Sequence, residues 1–318
     1  MHYERSVMSD LSDFKEMEKR IFKGIYGIVL TPFKENGEVD YDTLAKQVEK
    51  TMKSKDLTGL VVCGSTGEFS RLSFEENTYL MKTVKDAMKG EKQFICGTTA
   101  GDSYTAKKYT KYAEEIGADG ILIAPPYYFT LNDEEIFEYY KDVITSTSLP
   151  VVGYNIPQCT NPVSVSNFEK LLEFDNFKGF KNSWNDLQQI TTEIGLRDEK
   201  RPDVAMLTGL DACLYGTLSL GGDGVFSAIT YLMPEIIGFI KNNQGTEIGL
   251  KCQTDLIKLI NVVNRFTFPY GYRVLSDALN MPLGEGREAI PVSLKIKAEE
   301  AKKEMKAIYD ALVKEYIK

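Results

Sequence analysis

The sequence predicts one α/β domain built as a (β/α)8 TIM barrel, and three observations carry that prediction. Short apolar runs rich in β-branched and aromatic residues recur eight times along the 318-residue chain. Their starts lie roughly 20 to 35 residues apart, the spacing expected when a crossover helix follows each strand. The runs are apolar on both faces, as in a parallel sheet covered on both sides. These features favour a closed barrel over a doubly wound open sheet, from which sequence separates it only weakly.

Eight segments are predicted as the strands. Each is a short apolar run that starts or ends near a glycine, a turn residue or a charged residue. In chain order they are residues 27–31, 59–62, 93–97, 120–123, 151–154, 177–181, 205–208 and 224–227.

The segments between the strands carry signals for helix starts. Three pairs have the spacing of a capping box ahead of apolar residues at helical spacing. They are Ser73 with Glu76, Asn132 with Glu135, and Ser166 with Glu169. These signals support the helices independently of the strand count.

Two segments lie outside the eight strand–helix units. Residues 1–23 are predicted to be an N-terminal helical extension, residues 24–231 the barrel, and residues 232–318 a C-terminal helical region packed on it. In the last helix Ala301, Met305, Ile308 and Leu312 recur at steps of four, three and four. We expect that helix to be amphipathic and to pack on the barrel or a neighbouring subunit, not to anchor in a membrane.

Composition argues against nucleic-acid and membrane partners. The chain has 46 acidic and 38 basic residues, a formal net charge of −8, and no long Lys/Arg cluster. Phosphate backbones and anionic lipids attract basic surface instead. The chain also shows neither a secretory signal nor an apolar run of about 18 residues. We therefore expect a cytoplasmic protein.

Histidine and cysteine usage restricts the chemistry. His2 is the single histidine and lies at the chain end. This excludes His-based triads, histidine metal sites and histidine general bases, so proton transfer must use Tyr, Lys, Asp, Glu or Cys. The five cysteines are dispersed and form no C-x-x-C pair, which is typical of a reduced protein without a Cys-rich zinc site.

The residues that directly follow the strands are the functional candidates, because barrel enzymes build their sites at the C-terminal strand ends. Strand two is followed by Gly-Ser-Thr-Gly-Glu at residues 64–68. Ser65 and Thr66, between two glycines, offer short donors and backbone N–H groups that suit a small carboxylate. The same stretch also fits an ordinary loop in which Glu68 caps the next helix.

Strands five and six end in residues of complementary chemistry. Lys181 closes an apolar run beside Phe180, so we expect burial to lower its pKa and free the amine to attack a carbonyl. If the strands are neighbours, Tyr154 lies within reach and its phenol can move the protons of Schiff-base formation. The alternative is that Lys181 extends to solvent and Tyr154 packs in the barrel.

Three motifs at these strand ends resemble those of the dihydrodipicolinate synthase and N-acetylneuraminate lyase family. They are Gly64-Ser65-Thr66-Gly67-Glu68, Tyr154-Asn155-Ile156-Pro157 and Lys181-Asn182-Ser183, in this order and separation. The similarity runs from about Gly24 to beyond Ser227 and includes Pro126-Tyr127-Tyr128. Together the motifs are highly specific.

The resemblance implies a Schiff-base lyase that assembles as a homotetramer. Lys181 would form an imine with pyruvate or another 2-oxo acid, Tyr154 would move protons, and Ser65 and Thr66 would hold the carboxylate and relay protons. Tyr128 matches a tyrosine that some members insert into a neighbour's site. Because the protonated imine is itself the electron sink, no metal or organic cofactor is implied.

The sequence departs from both well-known members of the family. Cys159 stands where a dihydrodipicolinate synthase usually carries arginine for the second substrate's carboxylate, and a thiol cannot replace a bidentate guanidinium. N-acetylneuraminate lyases usually read Gly-Tyr-Asp-Glu after strand seven, whereas this chain reads Gly-Leu-Asp-Ala from Gly209 to Ala212. Further substrate-binding candidates are Ser183, Gly209, Asp211 and Ser227.

We therefore predict a lyase or aldolase that cleaves or forms a carbon–carbon bond to pyruvate, acting on a 2-oxo-3-deoxy sugar acid or sialic acid. One alternative is a 4-hydroxy-tetrahydrodipicolinate synthase that condenses pyruvate with aspartate semialdehyde. Another is a barrel that binds a 2-oxo acid without turning it over. A metal-dependent aldolase would normally need histidine ligands.

Overall fold

The computed structural model describes residues 19–317 and contains a closed barrel of eight parallel strands, which confirms the predicted fold class. The strands follow chain order around the barrel, and β8 closes it by pairing with β1. This closure rules out the doubly wound open sheet. The strands are β1 Gly24–Ile28, β2 Gly59–Val62, β3 Gln93–Gly97, β4 Gly120–Ile123, β5 Val151–Asn155, β6 Phe177–Asn182, β7 Ala205–Thr208 and β8 Gly224–Ser227.

The predicted position of β1 is wrong by three residues, whereas the other strands start where the sequence places them. We expected residues 27–31, but β1 runs Gly24–Ile28. Gly24 is already in register with Gly224 of β8. Val29 and Leu30 remain buried beyond the strand end, so the apolar run outlasts the strand and does not mark its end.

Helices separate the strands and cover the barrel. The helices between strands are α1 Tyr41–Met52, α2 Phe74–Met88, α3 Ser103–Glu115, α4 Asp133–Ile144, α5 Val165–Leu171, α6 Leu187–Lys200 and α7 Leu214–Ser219. After β8 come α8 Ala228–Leu232, α9 Pro234–Asn242, α10 Glu247–Val263, α11 Tyr270–Ala278 and α12 Val292–Tyr316.

Two of the three predicted capping boxes are confirmed. Ser73 with Glu76 caps α2, and Asn132 with Glu135 caps α4, each with both reciprocal hydrogen bonds. The third is wrong, because α5 begins earlier and its cap is Ser164, whose side chain accepts from the next turn's backbone. Ser166 therefore lies inside the helix.

The N-terminal segment does not continue as a helix to residue 23. Residues 1–18, including His2, lie outside the described part of the chain, and residues 19–23 form a turn and irregular backbone. Two contacts explain that path. Phe22 is fully buried in the cluster that fills the barrel, and Arg20 donates to Asp223 at 2.9 Å, just before β8.

The C-terminal region is helical, and α12 packs as its spacing predicts. Ala301, Met305 and Leu312 are buried and Ile308 is partly buried against the main core. This helix contacts α10 and α11. One short helix, α8, runs across the boundary that we expected at residue 231.

Two apolar layers position the polar site above them. One cluster, which includes Tyr26, Val61 and Val152, lies inside the barrel. The other lies between the strands and the helices. Because both faces of the strands are filled, polar side chains have room mainly at the last residues of the strands and just past them, which is where barrel enzymes place their chemistry.

Candidate active site

Lys181 lies near the end of β6 with its amine buried. The residue is 4% exposed, so it does not extend to solvent. Burial lowers its pKa from 10.5 to about 7, and the charge of Asp211 opposes that shift. Its Nζ atom lies 3.9 Å from the centre of the Tyr154 ring. An amine in this environment can act as a nucleophile near neutral pH.

Tyr154 and Lys181 are register partners on the neighbouring strands β5 and β6. The Tyr154 hydroxyl accepts a hydrogen bond of 3.2 Å from Ser183 Oγ. Burial raises the pKa of Tyr154, and the hydroxyls of Ser183 and Ser65 oppose that rise. The Tyr140 hydroxyl fixes the strand from behind by donating to the Tyr154 carbonyl at 3.2 Å. A protonated phenol is thus held beside the amine.

Gly209 packs directly against the lysine. A Cβ atom at this position would lie 2.4 Å from Lys181 Cε and 1.9 Å from Ser183 Oγ. Both distances are well inside van der Waals contact, so any larger residue would displace these side chains. Gly209 therefore contributes space for Lys181 and Ser183.

Asp211, just past the end of β7, and Ser227, the last residue of β8, are hydrogen-bonded to each other. Ser227 Oγ donates to Asp211 Oδ1 and accepts from the backbone N of Thr230 at 3.0 Å. Burial raises the pKa of Asp211 to about 7, while the Ser227 hydroxyl and the charge of Lys181 oppose this rise. Ser227 is committed to capping α8 and to Asp211, and Asp211 is the member of the pair whose charge reaches Lys181.

Ser65 and Thr66 lie on a short 3-10 turn, Ser65–Gly67, directly after β2. Thr66 Oγ1 is buried and has no hydrogen-bond partner within residues 19–317. Ser65 lines a pocket of about 200 Å³ together with Cys159 and Thr160, which follow β5. A buried hydroxyl without a partner beside a pocket is a free donor for a small anion.

Tyr128 takes no part in this cluster within the described chain. It is 92% exposed, and its ring contacts Phe129 edge-on at 5.0 Å. Its φ of 82° lies in the left-handed region, which bulky residues rarely adopt. Its neighbour Tyr127 lines the pocket instead.

Three residues near the site were not selected from the sequence. Arg71 and Phe268 line the pocket beside Ser65. Tyr272, on α11, lies close enough to Asp211 and Tyr154 for their charges to add to the effect of burial in raising its pKa. The rule that candidates follow strands cannot find residues of the C-terminal helices. For Arg71, the available signal was an arginine three residues after the 64–68 motif.

Behind β6 a buried carboxylate orients the strand end. Asn182 Nδ2 and Gln189 Nε2 each donate to Glu193 at 2.8 Å. Asn182 Oδ1 accepts from the backbone N of Trp184 at 2.8 Å. Burial raises the pKa of Glu193 to about 7, opposed by both side-chain hydrogen bonds. This network fixes the residue that directly follows Lys181.

Other features of the described chain do not compete with this site. A larger open groove of about 640 Å³ lies between α3 and α4 and contains none of the predicted site residues. Over residues 19–317, no three His, Cys, Asp or Glu residues are grouped as metal ligands. In the same range no helix has the length and apolarity needed to cross a bilayer.

Sequence relatives of this chain include 4-hydroxy-tetrahydrodipicolinate synthases and DapA-like lyases. Residues 21–311 match the model of the dihydrodipicolinate synthetase family. A 4-hydroxy-tetrahydrodipicolinate synthase from Acetivibrio thermocellus is 30% identical over 277 residues, which are 85% of this chain and 92% of that protein. An uncharacterized DapA-like lyase from Pyrococcus horikoshii is 34% identical over 215 residues, 67% of this chain and 74% of that protein.

Solved structures share the fold over most of their length. A dihydrodipicolinate synthase matches with a TM-score of 0.81 at 27% identity, covering 89% of this chain and 99% of that one. The 2-keto 3-deoxygluconate aldolase from Picrophilus torridus matches with a TM-score of 0.78 at 27% identity, covering 86% of this chain and 100% of that one. These two neighbours act on different substrates, so the likeness does not choose between them.

Proposed function

This chain belongs to the dihydrodipicolinate synthetase family and is a pyruvate-dependent lyase, and on that premise we propose that Lys181 is the amine that forms the Schiff base. The proposal rests on the environment of the Lys181 side chain. It is buried, its pKa is lowered to about 7, and its Nζ lies 3.9 Å from the centre of the Tyr154 ring. At neutral pH a surface lysine would be almost entirely an ammonium ion, which cannot attack a carbonyl.

In the proposed reaction Lys181 Nζ adds to the ketone carbon of the 2-oxo acid, and the carbinolamine loses water to give a protonated imine. Tyr154 delivers and removes protons in these steps. Removal of the proton from the C4 hydroxyl breaks the bond between C3 and C4, releases C4 as an aldehyde and leaves the electron pair of that bond on the imine as an enamine. Protonation at C3 and hydrolysis then release pyruvate, with the imine nitrogen as electron sink in place of a metal or cofactor.

The remaining predicted residues surround this centre. Ser65 and Thr66 hold the substrate carboxylate, and the unpaired Thr66 hydroxyl supports that role. Ser183 orients the Tyr154 hydroxyl. Asp211, hydrogen-bonded to Ser227, lies close enough to Lys181 for its charge to act on the amine.

For the substrate we propose a 2-oxo-3-deoxy sugar acid or a sialic acid. Cys159 lines the pocket beside Ser65, and its neutral thiol cannot make the bidentate contact that a synthase arginine makes. The aldolase from Picrophilus torridus, a 2-keto 3-deoxygluconate enzyme, supports the sugar-acid class. The alternative is a 4-hydroxy-tetrahydrodipicolinate synthase, which the Acetivibrio thermocellus relative supports.

We also propose a homotetramer in which Tyr128 reaches a neighbouring subunit. The exposure of Tyr128 together with Phe129, which is 72% exposed, supports a covered position in an assembly. A cytoplasmic location stays a prediction from the sequence.

Trapping with pyruvate and borohydride tests the proposed nucleophile. Reduction should add the mass of one pyruvate-derived group to the peptide that contains Lys181. Lys181→Arg, which keeps a cation but cannot form the imine, is the matched control and should give no adduct. An adduct on another lysine would refute the assignment. Binding of pyruvate with neither adduct nor turnover would indicate a barrel that only binds 2-oxo acids.

A further inference from the structure

The pocket beside Ser65 contains a charged side chain that the Schiff-base chemistry does not use. Arg71 lines this pocket of about 200 Å³, and its side chain is 35% exposed. Cys159, which lines the same pocket, lies close enough to the Tyr154 phenol for the two groups to interact electrostatically. The pocket therefore begins beside the proposed proton donor and extends to an arginine, along the space that the second half of a substrate would fill.

Only one nitrogen of Arg71 is committed to the protein. Its Nη1 donates to Glu68 and, at 3.2 Å, to Glu288. The Nε and Nη2 atoms have no hydrogen-bond partner among residues 19–317. These two nitrogens form the guanidinium edge that binds a carboxylate or phosphate with two parallel hydrogen bonds.

Of the two acids that contact Arg71, Glu68 lines the pocket and is already satisfied. Glu68 is buried, and its second oxygen accepts from Arg273 at 2.7 Å. Arg273 also donates to the carbonyls of Thr31 and Leu283, so it has little capacity left for a ligand. Glu68 thus presents no free carboxylate to a hydroxylated substrate, and the uncommitted charged donors of the pocket are those of Arg71.

The local backbone holds this arrangement. Glu68 has a φ of 63°, the left-handed conformation, between the 3-10 turns Ser65–Gly67 and Phe69–Arg71. The change of chain direction at Glu68 places the Arg71 side chain within hydrogen-bonding distance of the Glu68 carboxylate. Phe69, Ala124 and Phe268 form apolar walls of the pocket, and such walls strengthen a charge–charge contact by lowering the local dielectric constant.

We propose that the Nε–Nη2 edge of Arg71 binds an oxyanion, carboxylate or phosphate, at the far end of the aldehyde that joins or leaves pyruvate. Arg71, which follows β2, is then a specificity residue. It supplies the contact with an anionic group that Cys159, which follows β5, cannot make. This inference rests on the proposed Schiff-base function. It narrows the substrate to 2-oxo-3-deoxy acids, or their condensation equivalents, that carry a second anionic group.

Condensation with saturating pyruvate tests the inference with three aldehydes that differ in the anionic group at the end away from the carbonyl. Glyceraldehyde 3-phosphate carries a phosphate, succinate semialdehyde a carboxylate, and glyceraldehyde no charge. Wild type should prefer at least one anionic aldehyde, and which one identifies the oxyanion. Arg71→Met should lower kcat/KM for that aldehyde by roughly 10- to 100-fold, mostly through KM, and for glyceraldehyde by less than about threefold. Arg71→Lys should recover part of the loss.

Two controls separate this inference from the proposed function. Arg265→Met makes the same change at an arginine held by Glu304 outside the pocket, and should leave the preference among aldehydes unchanged. Pyruvate trapping on Lys181 should persist in Arg71→Met. Failure of trapping in wild type would refute the proposed function itself. Trapping with an equal loss for all three aldehydes, a wild-type preference for glyceraldehyde, or no turnover of either anionic aldehyde would overturn the role of Arg71 alone.

Discussion

The proposed nucleophile makes imine formation depend on pH near neutrality. Burial lowers the pKa of Lys181 from 10.5 to about 7. At pH 7 half of such a group is free amine, whereas an ordinary lysine is about one part in 3,000 amine, so burial raises the reactive fraction roughly 1,500-fold. Below pH 7 the reactive fraction, and with it kcat/KM for pyruvate, should fall about tenfold per pH unit.

Exchange of the pyruvate methyl protons with deuterium oxide measures this step without a second substrate. The enamine formed through the imine exchanges at C3, and proton NMR follows the loss of the methyl signal. The exchange rate per enzyme should rise with pH and level off above a midpoint near 7. Lys181→Arg, in which no imine can form, sets the background rate.

Asp211→Asn makes the test more specific, because the structure predicts the direction in which this substitution shifts the pKa of Lys181. The carboxylate of Asp211 favours the charged form of Lys181, so its removal should lower the pKa of the lysine further. The midpoint of exchange should therefore move to lower pH, while the amide keeps the shape of the side chain. A midpoint near 10 in wild type, or a shift to higher pH in Asp211→Asn, would refute the reasoning.

Two further predictions concern the groups around the lysine. Tyr154→Phe should lower turnover by roughly 100- to 10,000-fold, the usual effect of a lost proton-transfer group. Thermal stability should change little, because the ring keeps its packing and the protein loses only the contacts of the phenol with the Ser183 hydroxyl, at 3.2 Å, and the Ser65 hydroxyl. Unchanged turnover would assign the proton transfer to another residue. Burial raises the pKa of Glu193 in the folded protein from 4.5 to about 7. Between these two pH values the folded protein keeps a proton that the unfolded chain has released. The free energy of unfolding therefore falls as pH rises through this range. The melting temperature of Glu193→Gln should therefore rise relative to wild type between pH 5 and pH 8, and a constant difference across that range would contradict this account.

The strands could be predicted because a parallel barrel buries both faces of each one. Seven strands begin at the predicted residue, since an abrupt change from polar to apolar residues marks where burial begins. The start of β1 was missed because Gly24 and Ile25 join the sheet through pairing with β8, and a partner distant in sequence leaves no local signal. The spacing of Ser166 and Glu169 also matches a capping box, but Ser164 forms the cap by accepting from the backbone N of Asn167.

The adjacency of Lys181 and Tyr154 followed from strand order alone, because parallel neighbours in a barrel end at the same face. The residues that tune them did not follow. Glu193 lies on α6, where a glutamate normally faces solvent, and only its contact with Asn182 reveals its position. Tyr272 reaches the site from α11, and no strand pattern refers to that helix.

Buried polar groups at the two ends of the barrel differ in their hydrogen bonding. This difference indicates the position of the active site without reference to any sequence motif. At the N-terminal end Asp223 accepts from Arg20 and Arg197, each at 2.9 Å, and from the backbone N of Met206 at 2.8 Å. At the C-terminal end, within the described chain, the buried Thr66 hydroxyl has no partner, and burial lowers the pKa of Lys181 from 10.5 to about 7. Unsatisfied buried groups destabilise a fold, so they persist where a ligand completes them. Asp223 is thus fully bonded before β8, whereas past the opposite strand ends Lys181 and Thr66 keep an amine and a hydroxyl for a ligand to complete.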